Sequence, residues 1–196
     1  MSNIKKRKSS LMNKAIFLDR DGVINKEVDY LSEPEDLELI NGVIEALSIF
    51  QKLGFKLIII TNQSGIARNL FTENDLDIIH QKLRDILLEN KITLDGIYYC
   101  PHHPDIHLKN GNIKFLGNCN CRKPKNGMIL QAQKDLSIDF TQSFLVGDSL
   151  RDIQSGNLCG IQGFGVKTGK ACIGLKNEGI HLDDLLKVAK YIKSHP

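Results

Sequence analysis

Short, continuously apolar runs alternate along this chain with longer stretches of helical periodicity, and that alternation leaves few folds open. Residues 56–61 (KLIIIT) hold nothing polar between Lys56 and Thr61, which is the pattern of a strand covered on both faces. Residues 14–19 (KAIFLD), 96–99, 143–147 (SFLVG) and 161–166 are read as further strands. Between them lie helical patterns. The first, 43–53, stops at Gly54, a natural C-terminal cap. The second, 73–89, has Thr72 and Asp75 at capping-box spacing and Leu76, Ile79, Leu83, Ile86 and Leu87 on one side. Others follow at 128–136 and 149–157, with a last one from Leu182. Such β-α-β-α order builds an α/β fold, a Rossmannoid open parallel sheet with helices on both faces. At 196 residues the chain suits one domain of the usual ~150-residue scale, here 14–196, preceded by a flexible N-terminus, 1–13.

The composition excludes more than it identifies. Twenty-six basic against 23 acidic residues leave a net charge of +3, too slight a bias for a nucleic-acid or membrane-surface partner. The basic run Lys5-Lys6-Arg7-Lys8 is not followed by an uninterrupted apolar segment, because Asn13 and Lys14 break it. No run approaches the ~18 apolar residues of a membrane span. A soluble, cytoplasmic protein is therefore expected. Of the 5 cysteines, Cys100, Cys119 and Cys121 sit in two turns while Cys159 and Cys172 stand alone, which does not describe a disulfide framework.

In an open parallel sheet, ligands bind at the carboxyl ends of the strands. Those ends are polar here. The first carries Asp19-Arg20-Asp21-Gly22, the second Thr61-Asn62-Gln63-Ser64-Gly65, and a later one Gly147-Asp148, with Asp152 a turn into the next helix. Arg122-Lys123-Pro124 leads into the helix before that last strand. Together they supply carboxylates, a lysine and a hydroxyl to one crevice. A carboxylate at Asp19 can attack phosphorus if a cation offsets the charge of Asp19, Asp148 and the phosphoryl oxygens, and Mg²⁺ suits such an all-oxygen site. Lys123 and Thr61 would hold the equatorial oxygens, while Asp21 would protonate the leaving group and then activate water.

The segments Asp19-Arg20-Asp21-Gly22-Val23-Ile24-Asn25, Thr61 through Arg68, Cys100-Pro101-His102-His103-Pro104, Cys121-Arg122-Lys123-Pro124 and Gly147-Asp148 resemble the haloacid dehalogenase (HAD) superfamily, and within it the histidinol-phosphatase subfamily. The resemblance runs from about Lys14 to Lys170. It implies a HAD-like sheet and a cytoplasmic Mg²⁺-dependent phosphatase. The implied substrate is a small sugar bisphosphate, a heptose 1,7-bisphosphate that loses its 7-phosphate on the way to nucleotide-activated heptose for lipopolysaccharide or other surface glycans. A monomer is implied too. Position by position, it makes Asp19 the nucleophile and Asp21 the acid and base. Mg²⁺ would lie on Asp19, the main-chain carbonyl of Asp21 and Asp148. Arg122 would face the distal part of the substrate, and Glu27, Val28, Asp29 and Tyr30, with Asn62, Gln63 and Ser64, would line the sugar. Asn69 stands where relatives often have glycine, and Ser149 where lysine is common.

Cys100, His102, Cys119 and Cys121 form a Cys₃His set, a full complement for a closed structural Zn²⁺ site in an inserted loop, 100–121. The resemblance implies the C-x-H register for the ligand, His102 rather than its neighbour His103. Because Arg122 and Lys123 follow Cys121 directly, the clasp would set where the phosphate-binding lysine begins. Only about a score of residues separate Asp21 from the first helix, too few for a large cap domain, so the crevice is expected to be open, with the zinc loop its main overhang. Two other readings stay open at this stage: a histidinol-phosphate phosphatase, which shares these motifs, and a zinc-stabilised binding module with a vestigial site.

Overall fold

The structure, a computed structural model, describes residues 12–170 and 179–195. The basic run at 5–8 and Cys172 lie outside them. Six parallel strands form one sheet in the order β3-β2-β1-β4-β5-β6. The strands are β1 (Ala15–Leu18), β2 (Lys56–Asn62), β3 (Gly96–Cys100), β4 (Phe144–Gly147), β5 (Gln162–Val166) and β6 (Ile180–Leu182). The helices are α1 (Val43–Lys52), α2 (Glu73–Glu89), α3 (Gly127–Leu136), α4 (Leu150–Asn157) and α5 (Leu185–Ser194).

The central strands are apolar throughout because both their faces are covered. Ile16, Leu18, Leu57 and Ile59 point into one core with apolar residues of α1, α2 and α5. Ala15, Phe17, Ile58 and Ile60 point into the other with those of α3 and α4. Alternation by one residue thus divides each strand between two cores. Gly54, at φ +82°, ends α1 in the left-handed conformation expected of it. Thr72 and Asp75 close the capping box of α2 reciprocally. Asn69 also takes a left-handed backbone, φ 56°, a conformation asparagine tolerates better than most residues.

One expectation is corrected. The C-terminal helix starts at Leu185, not at Leu182, and Asp184 caps it by accepting from the Lys187 amide at 2.8 Å. Residues Ile180–Leu182 instead add a sixth strand beside β5. Three residues are too few for any period to separate strand from helix, and an open sheet edge decides the matter.

The strand order reverses between β1 and β4. Chain connections leave this switch point in opposite directions, which opens a crevice at the carboxyl ends of those two strands. Asp19 follows β1 and Asp148 follows β4. Between β1 and α1 the only helical element among the described residues is a single 3₁₀ turn at Pro34–Asp36, so no cap domain intervenes.

Candidate active site

A cavity of 390 Å³ occupies the crevice, lined by Asp19, Asp21, Thr61, Lys123, Asp148 and Asp152 among others. Lys123 is 3 % exposed and spends its ammonium on three acceptors: Asp19 Oδ1 at 2.9 Å, Asp152 Oδ1 at 2.6 Å and the Ile60 carbonyl at 2.8 Å. Burial opposes its charge, but Asp152 and Asp19 outweigh that and raise its pKa. Asp19 Oδ1 also accepts the Arg20 amide at 2.7 Å. Burial pushes Asp19 up to about 8, Lys123 counteracts this, and Asp152, Asp148 and Asp21 add to it. Asp19, Asp148 and Asp152 each bring an oxygen within 4.8 Å of the others. A buried carboxylate cluster that cannot carry its full charge alone fits a hard divalent cation such as Mg²⁺.

Asp21 is saturated with donors. Arg20 reaches Oδ1 through Nε at 3.2 Å and Nη2 at 2.9 Å, and Oδ2 through Nη2 at 3.0 Å. Asn25 donates to Oδ1 at 2.9 Å and Gln63 to Oδ2 at 2.8 Å. Burial alone would raise this carboxyl, but the guanidinium and the amide donors hold it below the usual carboxylate range. Asp21 is therefore ionised as it stands. Thr61, 1 % exposed, accepts from the same Gln63 amide nitrogen at 2.9 Å.

Asn62 and Gln63 line the cavity as the sequence suggested, yet their polar ends are turned to protein rather than to a sugar. The Asn62 amide bonds Lys123 twice, accepting its N–H at 3.0 Å and donating to its carbonyl at 3.2 Å. Gln63 ties Asp21 to Thr61. Ser64 lines the cavity too, as do Glu27, Val28, Asp29, Tyr30 and Arg122. Glu27 accepts the Lys170 amide at 2.7 Å, and Asp29 pairs with the Lys170 ammonium at 3.0 Å. The cavity wall opposite the expectation is this 27–31 segment: residues 100–121 contribute no lining of their own. The zinc loop bears on the cavity through its neighbours: Arg68 meets His103 Nε2 at 2.9 Å, Arg122 donates to the His102 carbonyl at 3.1 Å, and the Gln63 main-chain amide donates to the Cys100 carbonyl at 2.8 Å.

Three residues at the site went unassigned from sequence. Asp152 binds Lys123 through one oxygen and takes the Ser149 amide (3.0 Å) and hydroxyl (2.6 Å) on the other. Its four-residue offset from Asp148 was the available signal. Arg68 and Arg151 line the cavity beside Arg122, and only their positions just after strand ends could have marked them.

At the second cluster, Cys100, His102, Cys119 and Cys121 bring their ligand atoms within 4.8 Å of one another. Sulfur separations are 3.1 Å for Cys121–Cys100 and 3.6 Å for Cys100–Cys119, and His102 Nδ1 lies 3.5 Å from Cys121 Sγ and 3.8 Å from Cys100 Sγ. A tetrahedral zinc with bonds of ~2.3 Å to sulfur and ~2.0 Å to nitrogen would set these edges at roughly 3.5–3.8 Å. The contact with Cys121 and burial push the Cys100 thiol up, while the hydrogen bond with Cys100 brings Cys121 down to about 5; three thiols and an imidazole gathered this closely fit a soft divalent ion. His103 stays outside, turned to Arg68.

A switch-point carboxylate pair, a buried lysine and a strand-end hydroxyl on this sheet define a HAD-like phosphoric monoester hydrolase, and the binding-module reading falls away. The HAD-hydrolase-like family model matches residues 120–185. D-glycero-beta-D-manno-heptose-1,7-bisphosphate 7-phosphatase of Haemophilus influenzae is 43 % identical over 93 % of this chain and 98 % of its own length. The protein of the same name from Escherichia coli K12 is 46 % identical over 72 % of each. The crystal structure of D,D-heptose 1,7-bisphosphate phosphatase from B. bronchiseptica, complexed with magnesium and phosphate, superposes with a TM-score of 0.80 at 32 % identity, covering 93 % of this chain and 99 % of that one. The chain belongs to this heptose-bisphosphate phosphatase family of HAD-like hydrolases.

Proposed function

We propose that the protein is a cytoplasmic, monomeric, Mg²⁺-dependent phosphatase that removes the 7-phosphate of D-glycero-β-D-manno-heptose 1,7-bisphosphate, supplying nucleotide-activated heptose for lipopolysaccharide or related surface glycans. Among the described residues no helix is long and apolar enough to cross a membrane. The observation that carries the substrate is a set of three guanidiniums. Arg68, Arg122 and Arg151 line the same cavity as Asp19, and none pairs with a carboxylate among the described residues. Burial and then the charges of Arg151 and Arg68 bear on Arg122, lowering its pKa against the help of the nearby thiols. A single phosphoryl group is served by Lys123 and Thr61, so three further cations suit a second anion. Histidinol phosphate has one phosphate and a cationic tail, which these arginines would repel.

In the mechanism, an Asp19 oxygen attacks phosphorus and the P–O bond to the sugar breaks, leaving phosphoaspartate. Asp21 gives the departing oxygen its proton, then takes one from the water that cleaves the acyl phosphate and restores Asp19. The clamp around Asp21 maintains its ionised, proton-accepting form, and the negative charge of arriving substrate favours the protonated form the first step needs. Lys123 and Thr61 hold the phosphoryl oxygens. Asp19, Asp148 and the Asp21 carbonyl would hold Mg²⁺, which would supply the positive charge that lets anionic nucleophile and anionic substrate approach. Zn²⁺ on Cys100, His102, Cys119 and Cys121 would act as a clasp only.

The test compares heptose 1,7-bisphosphate with heptose 7-phosphate for the wild type and for Arg122→Met. Losing the Arg122 guanidinium should lower kcat/KM by roughly 10–100-fold, about the worth of one charge-assisted contact; losing the 1-phosphate, which all three guanidiniums face, should cost at least as much, and Arg122→Met should then lose little further on the monophosphate. Equal hydrolysis of both sugars by the wild type would overturn the second-anion reading.

A further inference from the structure

Arg20 is the largest fully buried side chain described, at 0 % exposure, and it lies between the two aspartates of the first strand end. Its backbone and side chain both serve that turn. Its carbonyl accepts the amides of Ile24 (2.8 Å) and Asn25 (3.1 Å), while its guanidinium forks onto Asp21 through Nε and Nη2. The remaining nitrogen, Nη1, lies 3.4 Å from His80 Nε2. A guanidinium only donates, so the imidazole accepts and is neutral. Burial, together with Arg20 and Arg84, holds His80 at about 3, consistent with that role. His80 sits in α2, 6 % exposed, with its ring 6.0 Å from that of Tyr99, and it does not line the cavity.

We propose that Arg20 is a positioning residue for the acid/base, fixing the rotation of the Asp21 carboxylate from beneath, and that His80 fixes Arg20 in turn. This rests on the assignment of Asp21 above. A carboxylate joined to its chain by two rotatable bonds sweeps its oxygens through several ångströms unless both are tied, and misplacement of about 1 Å can cost ~100-fold in rate. Asn25 and Gln63 hold one oxygen each, whereas Arg20 alone spans both. Without the fork, each Asp21 oxygen keeps only one neutral amide donor, Asn25 or Gln63, a looser hold on its rotation, while the phosphate site on Lys123 and Thr61 stays intact. Substrate binding and chemistry are thereby separable: the Arg20 side chain acts on kcat through Asp21, while its amide, which donates to Asp19 Oδ1 at 2.7 Å, is unchanged by a side-chain substitution.

A double-mutant cycle reads this directly. Steady-state phosphate release would be measured for the wild type, Arg20→Met, Asp21→Asn and the double variant, with circular dichroism recorded for each. Asp21→Asn alone tests the assignment of the acid/base and should lower kcat by ~10²–10⁴-fold. Arg20→Met should lower kcat by roughly 10–100-fold with KM within about twofold, and in the Asp21→Asn background it should change neither. The same cycle with His80→Phe, which keeps a ring against Tyr99, should show a several-fold loss of kcat that also vanishes in the Asp21→Asn background; it is read if Arg20→Met does not fold. Full kcat in the folded Arg20→Met or, failing that, His80→Phe variant, a change confined to KM, or an effect that persists without Asp21 would overturn the proposal.

Discussion

Replacing Asp152 with asparagine separates the two tasks its carboxylate performs. Asparagine keeps an oxygen for Lys123, but an amide nitrogen takes the place of the oxygen that accepts from the Ser149 amide at 3.0 Å and hydroxyl at 2.6 Å. Losing that helix-start contact costs about 1 kcal/mol. Removing one partner of a buried ion pair costs about 3–5 kcal/mol when the other charge is stranded. Here Lys123 keeps Asp19 at 2.9 Å and the Ile60 carbonyl at 2.8 Å, so roughly half of that applies and the total comes to about 3 kcal/mol. For a chain of this size about 2–4 °C accompany each kcal/mol, so Tm should fall by about 6–12 °C. Turnover falls as well, because the lysine's whole charge now rests on the nucleophile; tightening by ~1.4 kcal/mol would slow attack about tenfold. Thermal unfolding by circular dichroism and phosphate release on the same preparation measure both. A Tm shift below about 2 °C, less than ~1 kcal/mol, would refute the buried-pair reasoning.

The other expectations are briefer. Asp19→Asn should abolish turnover with fold and zinc content unchanged; appreciable residual phosphatase activity would remove Asp19 from the nucleophile's role. Elemental analysis should find about one zinc per chain, and Cys119→Ser should lower both zinc content and Tm, whereas a zinc-free protein of full stability and activity would dismiss the clasp. His80, held at about 3 against an ordinary 6.5, leaves the unfolded chain to take up the proton first as pH falls below 6.5. Native stability therefore drops by ~1.4 kcal/mol per pH unit from this group, about 2 kcal/mol at pH 5. Denaturant unfolding of His80→Phe at pH 7 and pH 5 should show a correspondingly smaller loss than the wild type, and equal losses would contradict the burial of a neutral imidazole.

Asp19, Thr61 and Asp148 were legible because each ends an apolar run, where chain direction and sheet topology leave no freedom about which edge of the sheet it reaches. Lys123 was legible for a different reason: its place beside Cys121 ties it to a recognisable ligand pattern. What escaped the sequence were partnerships across long separations. His80 reads as one more inward residue of α2, and nothing in its own segment shows that Arg20, 60 positions earlier, lies against it. Asn62 and Gln63 were correctly brought to the cavity, but which way an amide turns depends on Lys123 and Asp21, which arrive from other elements. The sixth strand escaped because pairing with β5, rather than any property of its three residues, makes it a strand.

The most direct test of the account is phosphate release with Mg²⁺ from both anomers of D-glycero-D-manno-heptose 1,7-bisphosphate, beside histidinol phosphate at equal concentration. The expected result is a large preference in kcat/KM for the β-anomer. Preferential turnover of histidinol phosphate would keep the nucleophile and the metal sites but contradict the three-arginine reading of the substrate.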